Sequence, residues 1–315
     1  MSTHSPSILI VGAGAVGALF GSALARQGAQ VSVVCRSDYE QVKRDGYRIR
    51  SSLLGDHVFR PNAVLRDVTE NTSPPDYLIL AVKILPGIDR AALIRPAVGP
   101  RTVIVLIENG IDIEEEIAQA FPQNELLSSV AFVGVGRTGP GEVHHQSLGS
   151  MVLGRYPSGI TPAAQQLAAL FEAGKIGCKL HERIVTVRWQ KAVWNASFNP
   201  ISIMGGVLDT TMMLRTPQDQ AFIRRAMQEV CDIAAAAGHP LPAQVIDQLI
   251  ASTLGMPAYK TSMAQDFESG RPLEIEAILG NAVRVGRKHE VAMPVLETVY
   301  ALAKMIEGGK GAAAK

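Results

Sequence analysis

Three polar side chains recur at four-residue intervals in VRWQKAVWNASFNP, residues 187–200: Lys191, Asn195 and Asn199. At about 100° per residue these positions share one face of a helix, and an apolar stripe lies opposite. A lysine ammonium can donate a proton to a reacting oxygen, and uncharged amides can orient a small substrate without adding charge. The alternative is structural: a solvated lysine, asparagines bonded to chain or water, and Asn199 as the residue that ends the helix before Pro200.

A second segment with candidate chemistry is KTSMAQDFESGRPLEIEAILG, residues 260–280. Ser262 precedes a turn at Gly270, and Pro272 is predicted to be the first residue of a helix. Glu274 then lies in the first turn, where the helix dipole favours an acid without any further role. Because Glu274 falls beside the apolar stripe of that helix, and not opposite it, we also expect a partly buried carboxylate.

A glycine-rich turn, GAGAVG, lies between the apolar run ILIV and a helical pattern. In this context Gly12 allows a tight turn, Gly14 lets the backbone approach a pyrophosphate, and Gly17 allows close packing of helix on strand. The first N–H groups and the dipole of the helix favour an anion. A packing turn without a ligand is the alternative. We predict a dinucleotide cofactor held by Gly12, Ala13, Gly14, Ala15, Val16 and Gly17.

The residues after the second apolar run indicate which dinucleotide binds. NAD enzymes usually carry an acid there for the ribose 2′-hydroxyl, whereas this chain reads VVCRS, with Arg36 and no acid before Asp38. A guanidinium can bind a 2′-phosphate through two parallel hydrogen bonds. This favours NADP (NADPH); the alternative is a solvated surface arginine beside Asp38.

Two further side chains follow apolar runs, at the strand ends where doubly wound sheets bind ligands. Lys83, in LAVK, can face a phosphate or a substrate carboxylate, or it can be a surface lysine that leads a helix. Asn109, in ENG, can face the nicotinamide or the substrate. Asn109-Gly110 is also a good turn dipeptide, which explains the pair without a ligand.

The first half of the chain alternates between short apolar runs and helical patterns. Strands are predicted at 7–14, 29–36, 76–83 and 101–110, and helices at 16–27, 38–45, 87–97 and 113–120. This alternation is typical of a parallel sheet covered by helices on both faces. Residues 126–154 have Gly-Pro-Gly turn signals and period-two runs, so further strands, some antiparallel, are expected to close the sheet edge.

From about residue 161 onward the strand signal nearly disappears. Helices are predicted at 162–173, 182–204, 217–237, 242–253, 272–288 and 294–307, separated by Gly or Pro. The predicted fold class is α/β, with an N-terminal Rossmann-type doubly wound sheet in residues 1–180 and an all-α C-terminal domain in residues 181–315.

Composition narrows the class of protein. The 315 residues are 47% hydrophobic and 19% charged, with a formal charge of +1, so a nucleic-acid or membrane-surface partner is not expected. Three scattered cysteines favour free thiols in a reducing compartment. The start MSTHSPS lacks a secretory pattern and no apolar run spans a bilayer, so we expect a cytoplasmic protein. The histidines have no partners at metal-ligand spacing, so no metal site is predicted.

Together, GAGAVG with Arg36, LAVK, ENG, RWQKAVWNASFNP and TSMAQDFESGRPLEIEAILGN resemble the ketopantoate reductase (2-dehydropantoate 2-reductase) family over nearly the whole chain. The last two stretches are the more specific, because residue type, order and spacing all fit. The resemblance implies a Rossmann domain, a helical domain like that of 6-phosphogluconate dehydrogenase, and an active cleft between them.

The resemblance also implies residue roles. Lys191 is expected to be the general acid that protonates the 2-oxo oxygen as hydride arrives from NADPH, while Glu274 holds the substrate, the lysine or the cofactor in position. Asn195, Asn199 and Ser262 are expected to bind the substrate. Asn109 is expected to lie near the nicotinamide and the substrate, and Lys83 near the cofactor or the substrate. Glu108 departs from the family's frequent glutamine, which bears on polarity near the cofactor and on substrate preference.

The expected activity is NADPH-dependent reduction of 2-dehydropantoate to pantoate, for pantothenate and coenzyme A synthesis. One alternative is another branched or bulky 2-oxo acid as substrate. Another is a non-catalytic NADP-binding regulatory protein, which the presence of both Lys191 and Glu274 argues against, since a sensor needs only the cofactor half. The expected partner is a small 2-oxo acid, and the sequence leaves a homodimer open.

Overall fold

The chain divides into two compact units in the computed structural model, which describes residues 5–313. The first four residues of the polar N-terminal segment lie outside the described residues. The first unit comprises Met1–Lys83, Asp89–Glu108 and Glu114–Ile184, and the second comprises Ile84–Ile88, Asn109–Ile113 and Val185–Lys315. The sequence placed one boundary between residues 180 and 181, whereas the compact units divide after Ile184 and assign two short earlier segments to the second unit.

Within residues 5–313, ten strands form one sheet, all of it in the first unit. The strands are β1 (Ser7–Val11), β2 (Gln30–Val34), β3 (Tyr47–Ser51), β4 (His57–Phe59), β5 (Ala63–Leu65), β6 (Tyr77–Leu80), β7 (Val103–Leu106), β8 (Leu126–Gly139), β9 (Glu142–Arg155) and β10 (Gly177–Leu180). The order is β4-β3-β9-β8-β7-β6-β1-β2-β5, with β10 paired to β9. The stretch from β8 to β5 is parallel throughout. Its strand order is that of a doubly wound dinucleotide fold, which confirms the predicted class.

Helices of the first unit follow the strands in sequence. They are α1 (Ala15–Ala25), α2 (Tyr39–Asp45), α3 (Arg90–Ile94), α4 (Glu115–Ala120) and α5 (Pro162–Ala173), with short 3₁₀ turns at Val68–Glu70 and Arg95–Ala97. The four predicted strands correspond to β1, β2, β6 and β7, and the burial of most of their side chains explains the apolar runs. Pro162 begins α5 behind a Thr161 cap, as its fixed φ favours.

The sequence missed the strands β3, β4, β5 and β10. The first of these alternates buried and exposed side chains over only five residues, and both of its exposed residues are arginines. β4 and β5 have three residues each, which is too short for a periodic signal. Residues 126–154 form one long antiparallel hairpin, β8–β9, and β9 continues the sheet through a parallel pairing with β3. The sheet therefore extends further on this side than the local patterns indicated.

The second unit is helical. Its helices are α6 (Ile184–Ile201, apart from its first residue), α7 (Thr210–Met213), α8 (Pro217–Ala236), α9 (Val245–Leu254), α10 (Ser262–Glu268), a π-helical turn Glu276–Gly280, α11 (Asn281–Lys288) and α12 (Pro294–Ala313). Trp189, Val193 and Ala196 of α6 lie in its apolar core, as the stripe predicted. A capping box between Thr216 and Asp219 starts α8.

One helix prediction was wrong in detail. Pro272 does not begin a helix: residues up to Glu274 are irregular, and Ile275 leads into the π-helical turn before α11. Glu274 therefore precedes the helix, and its carbonyl accepts the Ile278 N–H at 3.1 Å. The helix predicted over 182–204 continues through Pro200 to Ile201, so the alternative in which Asn199 ends it does not hold.

Two kinds of feature are absent from the described part of the chain. None of its helices combines the length and the apolar character needed to cross a membrane. Nor do three His, Cys, Asp or Glu side chains of residues 5–313 group so that they could hold a metal ion.

Candidate active site

A lysine–asparagine contact forms the centre of the candidate site. Lys191 lies half-buried on α6, and its Nζ donates a hydrogen bond to Asn109 Oδ1 at 2.8 Å. The helix that carries the lysine is fixed by the opposite face, where Trp189 is 3% exposed and Val193 fully buried. Both partners belong to the second unit, although Asn109 lies 82 positions earlier in the chain.

The chain just after that asparagine is fixed by several backbone contacts. Gly110 has φ +122°, and a Cβ there would lie 2.7 Å from the Ala277 carbonyl oxygen, so the position requires glycine. That carbonyl accepts the Ile111 N–H at 2.9 Å, and Asn281 Nδ2 donates to the Ile111 carbonyl at 2.6 Å. Arg188 Nη1 donates to the Gly110 carbonyl at 3.2 Å. Asn109-Gly110 therefore combines a backbone that requires glycine with an asparagine side chain that contacts the lysine.

Glu274 ties a second short segment to the helical unit. Its Oε1 accepts the backbone N–H of Ile84 at 3.1 Å, and the residue is half-buried. The carboxylate also lies near enough to Lys191 for its charge to favour the ammonium form. Glu274 thus combines a structural contact with an electrostatic one.

Three effects set the proton affinity of the lysine. Burial is the largest and lowers the pKa of Lys191, and the neighbouring Arg188 charge lowers it further. The Glu274 carboxylate opposes them, and the result is a pKa of about 7 for Lys191. An ordinary lysine, with a pKa near ~10.4, is a much weaker acid. At neutral pH this amine can therefore both hold and release a proton.

Arg188 is a site residue that the sequence reasoning missed. It is 4% exposed and lies three positions before Lys191, hence on the same side of the helix. The i, i+3 spacing within VRWQK could have indicated that this arginine is a neighbour of the lysine. Its burial could not be read from spacing, because arginines on helices are usually solvated.

The remaining predicted substrate residues occupy different environments. Asn195 is half-buried one turn after Lys191, whereas Asn199 is 1% exposed, and its Oδ1 has no hydrogen-bond partner within residues 5–313. Ser262 is exposed as the first residue of α10. The Thr261 cap of α10 bonds the Ser202 hydroxyl at 2.8 Å, so this helix starts beside the end of α6.

The glycine-rich turn has the geometry that a dinucleotide requires. Gly12 has φ +93°, and a Cβ there would lie 2.6 Å from Val82 Cγ1. At Gly17 a Cβ would lie 2.6 Å from the Gly12 carbonyl oxygen, so the helix packs closely on the turn. At Gly14 no atom beyond the adjoining chain lies within 4 Å of such a Cβ, which leaves open space where a pyrophosphate can approach. Ala15 and Val16 begin α1, and Ala13 precedes its N-cap, Gly14. The residues present therefore fit a dinucleotide.

The missed strand β3 supports that turn. Tyr47, the first residue of β3, is 1% exposed, and its hydroxyl donates to the Ala13 carbonyl at 2.8 Å. Burial is the main reason that the pKa of Tyr47 is raised, so the hydroxyl keeps its proton. An element with no obvious sequence signal thus fixes one carbonyl of the turn.

Two of the other predicted cofactor residues, Arg36 and Lys83, also lie in the first unit. Arg36 is exposed two positions after β2, and within the part of the chain that the structure describes it makes no ion pair. Lys83 is partly buried shortly after β6. Both follow the carboxyl ends of parallel strands, where this fold binds its ligands.

Glu108, the departure from the family pattern, has a buried partner. Its Oε2 pairs with Arg90 Nη1 at 2.8 Å, and the two side chains are 0% and 3% exposed. Arg90 also pairs with Glu116 at 2.7 Å. The negative charge before Asn109 is therefore compensated inside the first unit.

We predict that Lys191 titrates near neutrality. Lysine-labelled protein followed by ¹⁵N and ¹³C NMR should show one side chain with a midpoint of about 7, absent in Lys191→Ala. Arg188→Met should raise that midpoint, because a cation that disfavours the ammonium is removed. Glu274→Gln should lower it, because a favourable carboxylate is lost. A midpoint near ~10 in the unmodified protein would contradict the assignment.

Comparison with known proteins covers both units. Residues 8–158 match the family described as ketopantoate reductase PanE/ApbA, and residues 183–307 match its C-terminal counterpart. The crystal structure of 2-dehydropantoate 2-reductase from Methylococcus capsulatus is 53% identical, with a TM-score of 0.91, over 96% of this chain and 97% of that one. The Geobacter metallireducens structure of the same name is 32% identical, with a TM-score of 0.90, over 95% and 99%.

A relative compared by its sequence points to the same family. The 2-dehydropantoate 2-reductase of a Nostoc species is 30% identical over 304 residues, which cover 95% of this chain and 94% of that protein. The family matches and these relatives span nearly all of the sequence, so the chain belongs to the ketopantoate reductase family.

Proposed function

We propose that this protein reduces a small 2-oxo acid with NADPH, with 2-dehydropantoate as substrate and pantoate as product. Its place is then the supply of pantoate for pantothenate and coenzyme A synthesis. The observation that carries the proposal is the hydrogen bond from the half-buried Lys191 to Asn109 Oδ1, and the lowered Lys191 pKa of about 7 suits a proton donor. Membership of the ketopantoate reductase family supports the reaction class.

The chemistry divides between the cofactor and the side chains. A bound NADPH supplies the hydride that adds to the carbonyl carbon of the oxo acid. Lys191 stabilises the negative charge that builds on the 2-oxo oxygen and then gives its proton to that oxygen. Asn109 holds the ammonium through its side-chain oxygen at 2.8 Å, so the proton donor has one orientation before the reaction. Glu274 limits the fall in the pKa of Lys191.

Neutral side chains suit the rest of this site. Asn195 and Asn199 follow the lysine on α6, and Ser262 begins the helix that is anchored beside its end. Amides and hydroxyls can bind the hydroxyl and carboxylate of the oxo acid without a fixed charge that would shift the pKa of the lysine again. The buried Asn199 oxygen has no donor among residues 5–313, and a substrate hydroxyl that reaches it would satisfy it.

Substrate choice is tested with a panel of 2-oxo acids. We expect NADPH oxidation, followed by its absorbance, to be fastest with 2-dehydropantoate, since the family match covers both units. Turnover of other branched or bulky 2-oxo acids without 2-dehydropantoate would favour the alternative substrate. Tight NADPH binding with no turnover of any acid would instead favour a regulatory protein.

The role of Lys191 predicts a specific loss. Lys191→Ala should reduce turnover by about 10²–10⁴-fold with little change in NADPH affinity. Lys191→Arg is the matched control, because it keeps the positive charge but cannot release a proton at neutral pH. In the unmodified enzyme, kcat/KM for reduction should fall as the pH rises above about 7, where the free amine replaces the acid. Loss of cofactor binding alone in Lys191→Ala contradicts the proposal.

Use of the 2′-phosphate is tested at Arg36. Arg36→Ala should weaken NADPH by about tenfold or more and NADH much less, because only NADPH carries the phosphate that the guanidinium binds. Dissociation constants from calorimetry measure both cofactors independently of turnover. An equal loss for the two refutes the 2′-phosphate assignment.

A further inference from the structure

The two acids that follow β2 are both paired with arginines from other parts of the first unit. Asp38 pairs with Arg137 of the β8–β9 hairpin, and Glu40 pairs with Arg66, which follows β5. Each pair is neutral. Among these four paired residues and Arg36, the net positive charge therefore comes from Arg36. An acid after β2 is what a dinucleotide fold normally uses to bind a ribose diol. The pairing therefore acts on the feature that distinguishes NAD from NADP.

Asp38 is held on all sides. Its carboxylate is 7% exposed, and its Oδ2 accepts the Gly141 N–H at 2.9 Å. Its Oδ1 accepts from the Ser37 hydroxyl at 2.9 Å and pairs with Arg137 Nη2. The same guanidinium donates through Nη1 to the Ser37 oxygen at 3.3 Å. Both carboxylate oxygens are thus engaged, and neither is directed to an incoming ligand.

The second pair is different in exposure. The side chains of Glu40 and Arg66 are 75% and 57% exposed, and Arg66 also stacks on the Tyr39 ring at 4.0 Å from its centroid. Water and salt screen a charge in such a position, so loss of one partner changes the local field little. A buried carboxylate that loses its partner remains largely unscreened. The two pairs therefore provide a test case and a matched control.

We propose that Arg137 is a cofactor-selectivity residue that acts through Asp38. Arg137 neutralises and fixes this carboxylate, so the region after β2 stays favourable to a 2′-phosphate. The same pairing prevents the carboxylate from accepting a hydrogen bond from a ribose 2′-hydroxyl. The inference rests on the proposed use of NADPH, and it goes further by placing part of the selectivity in the β8–β9 hairpin. Arg137 needs no contact with the cofactor for this effect.

The physical basis is the repulsion between two anions. A 2′-phosphate carries up to two negative charges, and an uncompensated carboxylate within a few ångströms of its site repels it. The ribose of NADH is uncharged at that position and can donate a hydroxyl to a carboxylate. Loss of Arg137 therefore penalises NADPH and leaves NADH unchanged or improved.

Calorimetric dissociation constants for NADPH and NADH at pH 8 test the idea without reliance on turnover. Arg137→Met, which keeps an unbranched apolar chain, should weaken NADPH by about tenfold and change NADH by less than about threefold. Arg66→Met should change neither by more than about threefold, because its partner is exposed. Equal effects of Arg137→Met on both cofactors, or none on either, overturn the proposal.

A double variant separates action through Asp38 from a direct contact. In Asp38→Asn/Arg137→Met the carboxylate is removed together with its partner, so NADPH affinity should return to within about threefold of the original. If the double variant binds NADPH as weakly as Arg137→Met, the selectivity does not act through Asp38 and the inference is wrong. Melting temperatures of all variants identify any general loss of folding, and the Asp38→Asn background serves as the folded reference.

The Arg36→Ala result distinguishes failure of the proposed NADPH use from failure of the Arg137 role alone. If Arg36→Ala affects NADPH and NADH equally, the proposed use of the 2′-phosphate fails, and the inference fails with it. If Arg36→Ala is selective and Arg137→Met is not, the proposed function stands and only the role of Arg137 is lost.

Discussion

The hydrogen bond between the Lys191 ammonium and the Asn109 side-chain oxygen is the contact on which the candidate chemistry depends. It joins a helix held by an apolar core to a short segment fixed by Gly110, Ile111 and their backbone partners. Neither side alone would hold a long lysine side chain in one rotamer, since its free rotation is favoured by entropy. The proposed proton donor is therefore placed by packing on one side and by a turn that tolerates only glycine on the other.

The charges around that lysine set its pKa near neutrality, as the proposed role of an acid requires. Burial is the main cause of the lowered pKa of Lys191, and Arg188 adds to it. Arg188 also bonds the Gly110 carbonyl, so the same guanidinium shapes the turn and tunes the amine. Glu274 works in the opposite direction, because its carboxylate favours the ammonium form. Uncharged asparagines on the same helix fit this balance because they do not disturb it.

Charge compensation recurs in the first unit. The buried Arg90–Glu108 pair neutralises the acid that precedes Asn109, and the Arg137–Asp38 pair neutralises the acid that follows β2. In each case an arginine from a separate element neutralises an acid beside a strand end, where this fold binds ligands. Buried ion pairs add little net stability, so their value at these positions is better explained by the local field and by the fixed geometry of neighbouring residues.

The sequence by itself determined the doubly wound class, the glycine-rich turn and the shared face of Lys191, Asn195 and Asn199. These features follow from local rules: buried parallel strands are continuously apolar, a tight phosphate turn requires glycine, and helix spacing fixes which residues are neighbours. Only the tertiary structure decided which side chains meet. Residues far apart in the chain are joined by three contacts: Lys191 with Asn109, Tyr47 with Ala13, and Asp38 with Arg137. The burial of Arg188 likewise depends on packing. No periodicity encodes such contacts, because distance, burial and partner charge arise only when the elements pack.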